Sequence, residues 1–186
     1  KKKTTNLSFY GSQSLPKKHN HIIFRFKNFK LIYNDPRRFG FFKILENKKD
    51  YLKFFTRIGP EAISKDFNKK YLSQILKNRT KNIKNLLLDQ KLVSGLGNIY
   101  VNEILFQAKI NPFKKSYLIN LDENKRIVKY SKIILKKAIH FGGSSIRDFK
   151  GITGKSGNFQ SEFKVYDREK MKCSRNNCSG RIRRKI

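Results

Sequence analysis

Acidic residues are scarce in this chain. Its 186 residues include 13 Asp and Glu against 44 Lys and Arg, which gives a formal net charge of +31. So large an excess of one sign is unusual for an ordinary soluble enzyme and predicts a polyanionic partner. Nucleic acid, the ribosome and an anionic membrane surface all fit that description, so charge alone identifies only the partner class.

Long hydrophobic runs are also missing. No segment reaches the roughly 20 apolar residues that a membrane-spanning helix needs, and no charged stretch followed by an apolar one resembles a secretory signal. The chain has two cysteines, Cys173 and Cys178. We therefore expect a cytoplasmic protein, in which the reducing environment disfavours a disulfide between them.

The hydrophobic pattern changes from strand-like to helix-like along the chain. To about residue 57 apolar side chains alternate, which predicts strands. The predicted strands lie within Ile22–Phe26, Phe29–Tyr33 and Phe39–Leu45. Beyond Gly59-Pro60, which breaks the periodicity, helices are predicted. They cover residues 66–76, 82–91, 98–109 and 122–141.

The helix over 122–141 has the clearest predicted boundaries. Asn120 is the candidate N-cap and Glu123 its capping-box partner, while Gly142 and Gly143 end the helix. With 38% hydrophobic residues, the chain can bury a core. The sequence thus predicts an α+β protein in which a β part precedes an α part.

Two helices are predicted to meet at the turn Gly95-Leu96-Gly97-Asn98. The glycines permit positive φ, and Asn98 is a suitable N-cap for the following helix. Backbone N–H groups and the helix dipole at such a start form an anion site, and a DNA phosphate is the expected anion. A glycine turn between helices is also commonly only structural, so the turn alone leaves both interpretations open.

A second motif follows the second predicted strand. Asp35-Pro36 turns the chain and displays Arg37, Arg38 and Phe39 together. A guanidinium pairs with a base edge or a phosphate, and a Phe ring can wedge into a base stack. The alternative is structural, with arginine paired to a carboxylate and phenylalanine in the core.

These motifs, in this order, resemble the formamidopyrimidine-DNA glycosylase and endonuclease VIII family, whose members excise oxidised bases. The resemblance runs from His19 to Cys178 and is most specific at Asp89–Lys91, Ser94–Tyr100 and Asn102-Glu103, which resemble the family's helix-two-turn-helix (H2TH) motif. It implies the C-terminal part of a β-sandwich domain, then an H2TH domain and an incomplete zinc ribbon. The ordered motifs disfavour a generic RNA-binding protein.

The resemblance divides the chain into four segments. Residues 1–57 are expected to form a partial N-terminal β-sandwich catalytic domain, and residues 58–150 a helical H2TH DNA-binding domain. Residues 151–162 are expected to form a lesion-capping loop, and 163–186 a truncated zinc-finger hairpin. The implied protein is a monomer of bacterial type that associates with the nucleoid through DNA.

The family resemblance also implies individual DNA contacts. Arg37 is expected to face the base left unpaired when a nucleotide is flipped, with Phe39 wedged beside it. His19 and His21 on one strand also suit a metal, but no third ligand is evident nearby, so phosphate contact is favoured for His19. The full implied DNA-binding set is His19, Arg37, Phe39, Arg79, Lys84, Gly97 and Asn98.

Residues 142–149 and 154–160 resemble the segments around the loop that closes over the flipped base in the purine-excising branch. The implied loop residues are Lys155, Ser156, Gly157, Asn158 and Phe159. The loop favours 8-oxoguanine and formamidopyrimidines as substrates. The alternative is the oxidised-pyrimidine range of the endonuclease VIII branch.

Cys173 and Cys178 resemble the first ligand pair of the family's zinc ribbon. A structural zinc site needs four tetrahedral ligands, and the C-x4-C spacing is wider than the usual C-x2-C. The resemblance implies one zinc ion in the intact parent. In these 186 residues, two free thiols are expected.

The family uses an N-terminal proline as nucleophile, which forms a Schiff base with the sugar and gives glycosylase and β,δ-elimination AP-lyase activities. This chain begins Lys1-Lys2-Lys3, so the proline, a glutamate and a lysine of the catalytic site are expected before Lys1. We expect a chain truncated at both ends that binds damaged duplex DNA without cleaving it, and a bifunctional parent enzyme. The alternative is a non-catalytic damaged-DNA-binding protein of the same fold.

Overall fold

The computed structural model describes residues 17–35, 38–144 and 157–185. The strands are β1 (Asn20–Arg25) and β2 (Lys30–Asn34), and the α-helices are α1 (Lys48–Phe55), α2 (Lys69–Leu76), α3 (Ile83–Leu88), α4 (Asn98–Gln107) and α5 (Leu121–His140). Short 3-10 helices lie at Lys17–His19, Ser116–Leu118 and Phe159–Glu162. The α+β class is confirmed. In the described part of the chain, no helix is both long and apolar enough to cross a membrane.

The β part is an antiparallel hairpin. Ile23 pairs with Ile32, and Phe26 N–H donates to Phe29 O at 2.9 Å to close the turn. The third predicted strand is wrong, because Phe39–Leu45 has no strand structure and most of its apolar side chains are exposed. Period-two alternation produces a strand only where a neighbouring edge supplies hydrogen bonds, and among the described residues this segment pairs with no strand.

Helix α1 was not predicted from the periodicity. Asn47 caps it, since its side-chain oxygen accepts from Asp50 N–H at 2.9 Å. None of its residues is buried. The helix spans only eight residues, too short a window for helical periodicity to be distinguished from the alternation that precedes it.

The hydrophobic core lies in the α part. Helix α5 packs against α2 and α4, and α3 packs against α4. The largest fully buried apolar side chains are Phe67, Leu72, Ile83, Leu86, Leu87, Val93, Leu96, Val101, Ile104, Leu105 and Ile127. Each buried side chain of this size contributes about 1.5–3 kcal/mol, so these helices hold one another in place.

Local capping sets the ends of α5 as predicted. The Asn120 side chain accepts from Glu123 N–H at 2.9 Å, and the Glu123 carboxylate accepts from Asn120 N–H at 3.0 Å. Gly142 and Gly143 take φ values of 72° and 84°, which ends the helix. Helix α3 is shorter than predicted and ends at Leu88, because Asp89 leaves the helical conformation and its carbonyl accepts from the N–H groups of the following turn.

The segment that enters the α part is tied to the turn between α3 and α4. Ala62 N–H donates to Ser94 O, and Ser94 N–H donates to Pro60 O, each at 3.0 Å. A Cβ on Gly59 would lie 2.4 Å from the backbone carbonyl of Leu92, so only glycine permits this approach. The glycine turn is therefore supported from outside its own helices.

Candidate nucleic-acid interface

The turn before α4 exposes backbone and buries one side chain. Gly95 has a φ of 81°, in the region that favours glycine. Leu96 points into the core, whereas Gly95, Gly97 and Asn98 are exposed. Leu96 anchors the turn, and its backbone stays accessible to a ligand.

Gly97, and not Asn98, is the N-cap of α4. The Gly97 carbonyl accepts the first helical hydrogen bond, from Val101 N–H at 3.0 Å, and Asn98 is already the first helical residue. The Asn98 side chain instead lies 3.4 Å from the Asn102 side-chain nitrogen. The predicted capping role of Asn98 is therefore wrong. Asn98 lies one position after the N-cap, inside the helix.

This start differs from those of the other described α-helices. Asparagine side chains cap them at Asn47, Asn68, Asn82 and Asn120. Gly97 has no side chain, so the first N–H groups of α4 receive no side-chain cap. Such N–H groups, at the positive end of the helix dipole, suit an external anion.

The Gln90 side chain holds the glycine turn together. Its oxygen accepts from Gly95 N–H at 3.0 Å, and its nitrogen donates to Leu96 O at 2.8 Å. The predicted H2TH motif contained Gln90, but no structural role was assigned to it. These two hydrogen bonds keep the turn in one conformation, which lowers the entropy cost of binding a ligand there.

Basic residues precede the same turn in the chain. Arg79 is exposed in the loop between α2 and α3, and Lys84 is half-buried in the first turn of α3. Lys81 Nζ lies 3.7 Å from the Asp89 carboxylate, which connects the basic loop to the segment entering the glycine turn. This contact joins one basic residue of the loop to the segment that leads into the glycine turn.

Asp35 organises the loop that follows β2. Its two carboxylate oxygens accept from the N–H groups of Arg38 at 2.9 Å and Gly40 at 2.8 Å. Phe39, between them, is 78% exposed, so the structural alternative of a core phenylalanine is wrong. Arg37 lies outside the described residues.

The two histidines of the first motif lie in different elements. His19 ends the 3-10 helix Lys17–His19, whereas His21 belongs to β1, so the expected pair on a single strand is wrong. His21 Nε2 lies 2.9 Å from Asp35 O, and the Asp35 N–H donates to His19 O at 3.0 Å. No cluster of three or more His, Cys, Asp or Glu within the described ranges is arranged to hold a metal.

Only part of the implied lesion loop falls within the described residues, since Lys155 and Ser156 lie outside them. Gly157 approaches α5 so closely that a Cβ there would lie 2.2 Å from Gly143 O. Asn158 N–H then donates to Phe141 O at 2.9 Å. Gly157 and Asn158 therefore attach the end of this segment to the end of α5.

Phe159 is a core residue and not part of a mobile loop. It is 3% exposed, and its ring centroid lies 5.8 Å from those of both Tyr100 and Phe163. The loop assignment of Phe159 is therefore wrong, because an aromatic ring at this position completes the core beside α4.

The two cysteines lie on one C-terminal turn as free thiols. Cys173 N–H donates to Gly180 O at 2.8 Å. The Gly180 backbone, the Cys173 thiol and the charge of Arg175 lower the pKa of Cys178. Two thiols suit zinc, but the described residues supply half of a tetrahedral set and do not complete a structural site by themselves.

Glu103 is a second residue whose role the sequence did not reveal. It is 3% exposed on α4, and its carboxylate accepts from the backbone N–H groups of Lys164 at 2.9 Å, Val165 at 2.9 Å and Tyr166 at 2.8 Å. The helix that starts at the glycine turn therefore also holds the C-terminal segment. In the sequence, the available signal for this role was the presence of Asn102-Glu103 in the predicted H2TH motif.

Comparison with known proteins identifies this arrangement. The profile of the formamidopyrimidine-DNA glycosylase H2TH domain matches residues 58–150. The formamidopyrimidine-DNA glycosylase of Roseobacter denitrificans is 43% identical over 178 residues, which cover 95% of this chain and 63% of that protein. A relative from a Wolbachia of Culex pipiens is 41% identical over 157 residues, 84% of this chain and 58% of its own length.

Solved structures give the same result. The Lactococcus lactis Fpg, in complex with DNA containing an abasic site, superimposes with a TM-score of 0.81 at 38% identity, covering 94% of this chain and 64% of that one. The MutM (Fpg) protein of Thermus thermophilus gives 0.81 at 31% identity, covering 92% and 65%. The chain spans less than two thirds of these relatives. It belongs to the formamidopyrimidine-DNA glycosylase family.

Proposed function

We propose that this chain carries the DNA-binding part of a base-excision repair glycosylase, with a phosphate of the damaged duplex bound at the start of α4. The observation that carries the proposal is the exposed helix N-terminus capped only by Gly97. Gln90 holds the turn rigid, and the net charge of +31 attracts the polyanion. Arg79 and Lys84 add phosphate contacts beside the turn.

The loop after β2 is proposed to act on the bases. The exposed ring of Phe39 suits a wedge between base pairs, and Arg37 is proposed to occupy the space left by the flipped nucleotide. Asp35 supports this role by fixing the backbone on the far side of Phe39. His19 is proposed as a further phosphate contact.

Oxidised purines are the proposed lesions. Related proteins have been solved with DNA containing Fapy-dG, in the Lactococcus lactis case, and with DNA containing carbocyclic 8-oxo-G, in the case of MutM. The proposed reaction of the whole protein is glycosidic bond cleavage followed by β,δ-elimination through a proline Schiff base. Lys155 to Asn158 are proposed to cap the flipped base.

Fluorescence anisotropy with matched duplexes tests the binding proposal. We expect tighter binding to duplexes carrying an abasic analogue or 8-oxoguanine than to undamaged DNA, and a loss of that preference in Arg37→Ala and Phe39→Ala. Phe29→Ala, which removes another exposed ring that stacks on Phe26, is the control and is expected to keep it. Equal affinity for damaged and undamaged DNA contradicts the function, and preference for thymine glycol contradicts the purine assignment.

The lyase proposal has its own test. Borohydride reduces a Schiff base to a stable amine, so a protein with its natural N-terminus is expected to be trapped covalently on an abasic duplex. Base excision without any trapped complex would contradict the proline mechanism and leave the DNA-binding proposal intact.

A further inference from the structure

Helix α5 carries a row of lysines on its outer face. Lys125, Lys129, Lys132 and Lys136 follow one another at intervals of four, three and four residues. At 3.6 residues per turn they share about a sixth of the helix circumference and extend along about 16 Å of its axis. We call these four residues the α5 lysine stripe.

The stripe points away from the helices that pack on α5. The buried face of α5 contains Ile127, Ser131, Ile134 and Ala138. Asn124 on one flank donates to Ser73 of α2 at 2.7 Å, and Arg126 on the other donates to the carbonyl of Ala108 at the end of α4 at 2.8 Å. The stripe therefore lies on the side of α5 that faces away from α2 and α4.

Few acidic residues balance these charges. The acidic residues of α5, Asp122 and Glu123, both lie in its first turn, and Asp122 pairs with Lys125 at 3.0 Å. Lys129 lies 5.9 Å from the Tyr130 ring centroid, and within the described part of the chain Lys132 and Lys136 have no ion pair. Like charges three and four residues apart repel and destabilise a helix, whereas an ordinary solvated face alternates signs.

The geometry points to a second DNA-binding face, and we propose that the α5 lysine stripe holds the phosphate backbone of a second duplex segment while the glycine turn holds the first. About 16 Å of helix corresponds to about five base pairs of duplex at 3.4 Å each. This inference rests on the proposed DNA-binding function and adds a second site to it. Two faces would let the protein transfer between neighbouring DNA segments.

A membrane surface fits the stripe less well. A helix that lies in a membrane interface buries a continuous apolar face in lipid, but the apolar face of α5 is already occupied by the protein core. The exposed apolar residues of α5 lie on both sides of the stripe: Ile133 on one side, and Leu121 and Ile139, about five turns apart, on the other. They do not form one lipid-facing surface.

The test counts duplexes bound per protein by sedimentation velocity and measures both affinities at low salt. We expect two binding events for the wild-type chain. The triple variant Lys129→Gln, Lys132→Gln, Lys136→Gln should keep the first affinity and weaken the second about tenfold or more. Lys132→Gln alone should lower the salt slope of the second event by about 0.9.

A matched variant controls for net charge. Lys48→Gln, Lys49→Gln, Lys53→Gln removes the same charge from exposed positions on α1 and should keep both events. Three results would each overturn the proposed second DNA-binding face: one duplex per wild-type protein, an unchanged second event in the α5 triple variant, or an equal loss in the α1 control. So would displacement of the second duplex by anionic phosphatidylglycerol vesicles at lower concentration than by competitor DNA. Failure of the proposed function would be seen separately. In that case the first duplex would bind with equal affinity whether or not it carries a lesion.

Discussion

The side-chain oxygen of Gln90 accepts a hydrogen bond from the backbone N–H of Gly95 at 3.0 Å, across the turn that precedes α4. The same side chain donates to Leu96 O at 2.8 Å. One residue therefore satisfies both a donor and an acceptor of the turn, at the place where the proposed phosphate binds. The turn geometry depends on a side chain and not on the glycines alone.

Two replacements of Gln90 should distinguish its effect on DNA affinity from its effect on the stability of the fold. Gln90→Ala removes both hydrogen bonds, and we expect a loss of about 1–2 kcal/mol in the free energy of unfolding together with weaker DNA binding. Gln90→Glu keeps the acceptor for Gly95 but places a negative charge beside the phosphate. Its DNA affinity should fall further than that of Gln90→Ala. Fluorescence anisotropy measures the affinities, and urea unfolding measures the free energies of unfolding.

The control for these variants is Gln74→Ala, which removes an exposed glutamine from α2. It should change neither affinity nor unfolding free energy by more than about 0.5 kcal/mol. If Gln90→Glu binds DNA as tightly as the wild type, the anion does not sit at this turn.

Gly97→Ser should stabilise the fold and weaken DNA binding. Gly97 has φ and ψ of −106° and 173°, which serine adopts readily, and nothing lies within 4 Å of the position of its missing Cβ. A serine oxygen there would accept from the first N–H groups of α4, adding a few tenths of a kcal/mol. It would thereby occupy the donors that the proposed phosphate uses.

Thermal unfolding and DNA anisotropy on the same Gly97→Ser preparation check this prediction. Gly59→Ala is the contrasting variant, because its Cβ would clash with the Leu92 backbone, and it should unfold at a lower temperature. Tighter DNA binding by Gly97→Ser would show that the α4 N-terminus does not receive the anion.

The predictable parts of the structure are those with local signals. The capping box of Asn120 and Glu123, and the glycines after α5, bring together residues within a few positions of each other, so α5 was predicted to within one residue at each end. The exposed glycine turn was also predictable, because tight turns require glycine. Its N-cap was misplaced by one residue, because asparagine is among the most favoured N-cap residues, whereas the helix is capped by Gly97 without a side chain.

The unpredicted features depend on distant parts of the chain. Glu103 accepts from residues 61 to 63 positions away, and no spacing rule connects them. Phe159 was assigned to the lesion loop through the family resemblance, but its environment is set by Tyr100 on α4. The segment Phe39–Leu45 alternates as a strand does, yet pairing depends on a partner strand that periodicity does not reveal.

Removing Glu103 should destabilise the attachment of the C-terminal segment. Glu103→Ala leaves three backbone donors without their carboxylate, and we expect a loss of about 3 kcal/mol or more. Glu103→Gln keeps one oxygen, the acceptor that Val165 and Tyr166 share, so its loss should be about half as large. Urea unfolding measures both values.

Hydrogen exchange locates the effect of Glu103. The amides of residues 164–166 should exchange faster in Glu103→Ala, while those of α5 change less. Asp167→Asn, which neutralises an exposed carboxylate next to the same segment, should stay within about 0.5 kcal/mol of the wild type. Unchanged exchange at 164–166 would mean that other contacts hold this segment.

The Glu123–Lys114 pair should make stability depend on acid pH. Burial raises the pKa of Glu123, but the hydrogen bonds from Lys114 and from Asn120 N–H, with the Lys114 charge, outweigh it and hold the pKa below the usual 4.5. A carboxylate whose pKa is lowered by folding stabilises the fold above its unfolded pKa, and that contribution is lost as pH falls through the folded value. Glu123→Gln keeps the capping box but removes this titration.

We therefore expect Glu123→Gln to cost about 1–2 kcal/mol at neutral pH and to approach the wild type below pH 4.5, where the Glu123 contribution is being lost. Unfolding free energies measured across this acid range check the convergence. Glu169→Gln, which removes an exposed carboxylate from the C-terminal segment, should run parallel to the wild type. A constant difference between Glu123→Gln and the wild type at every pH would show that the charge of Glu123 does not contribute to stability, because only an ion pair that is lost on protonation makes the two curves converge.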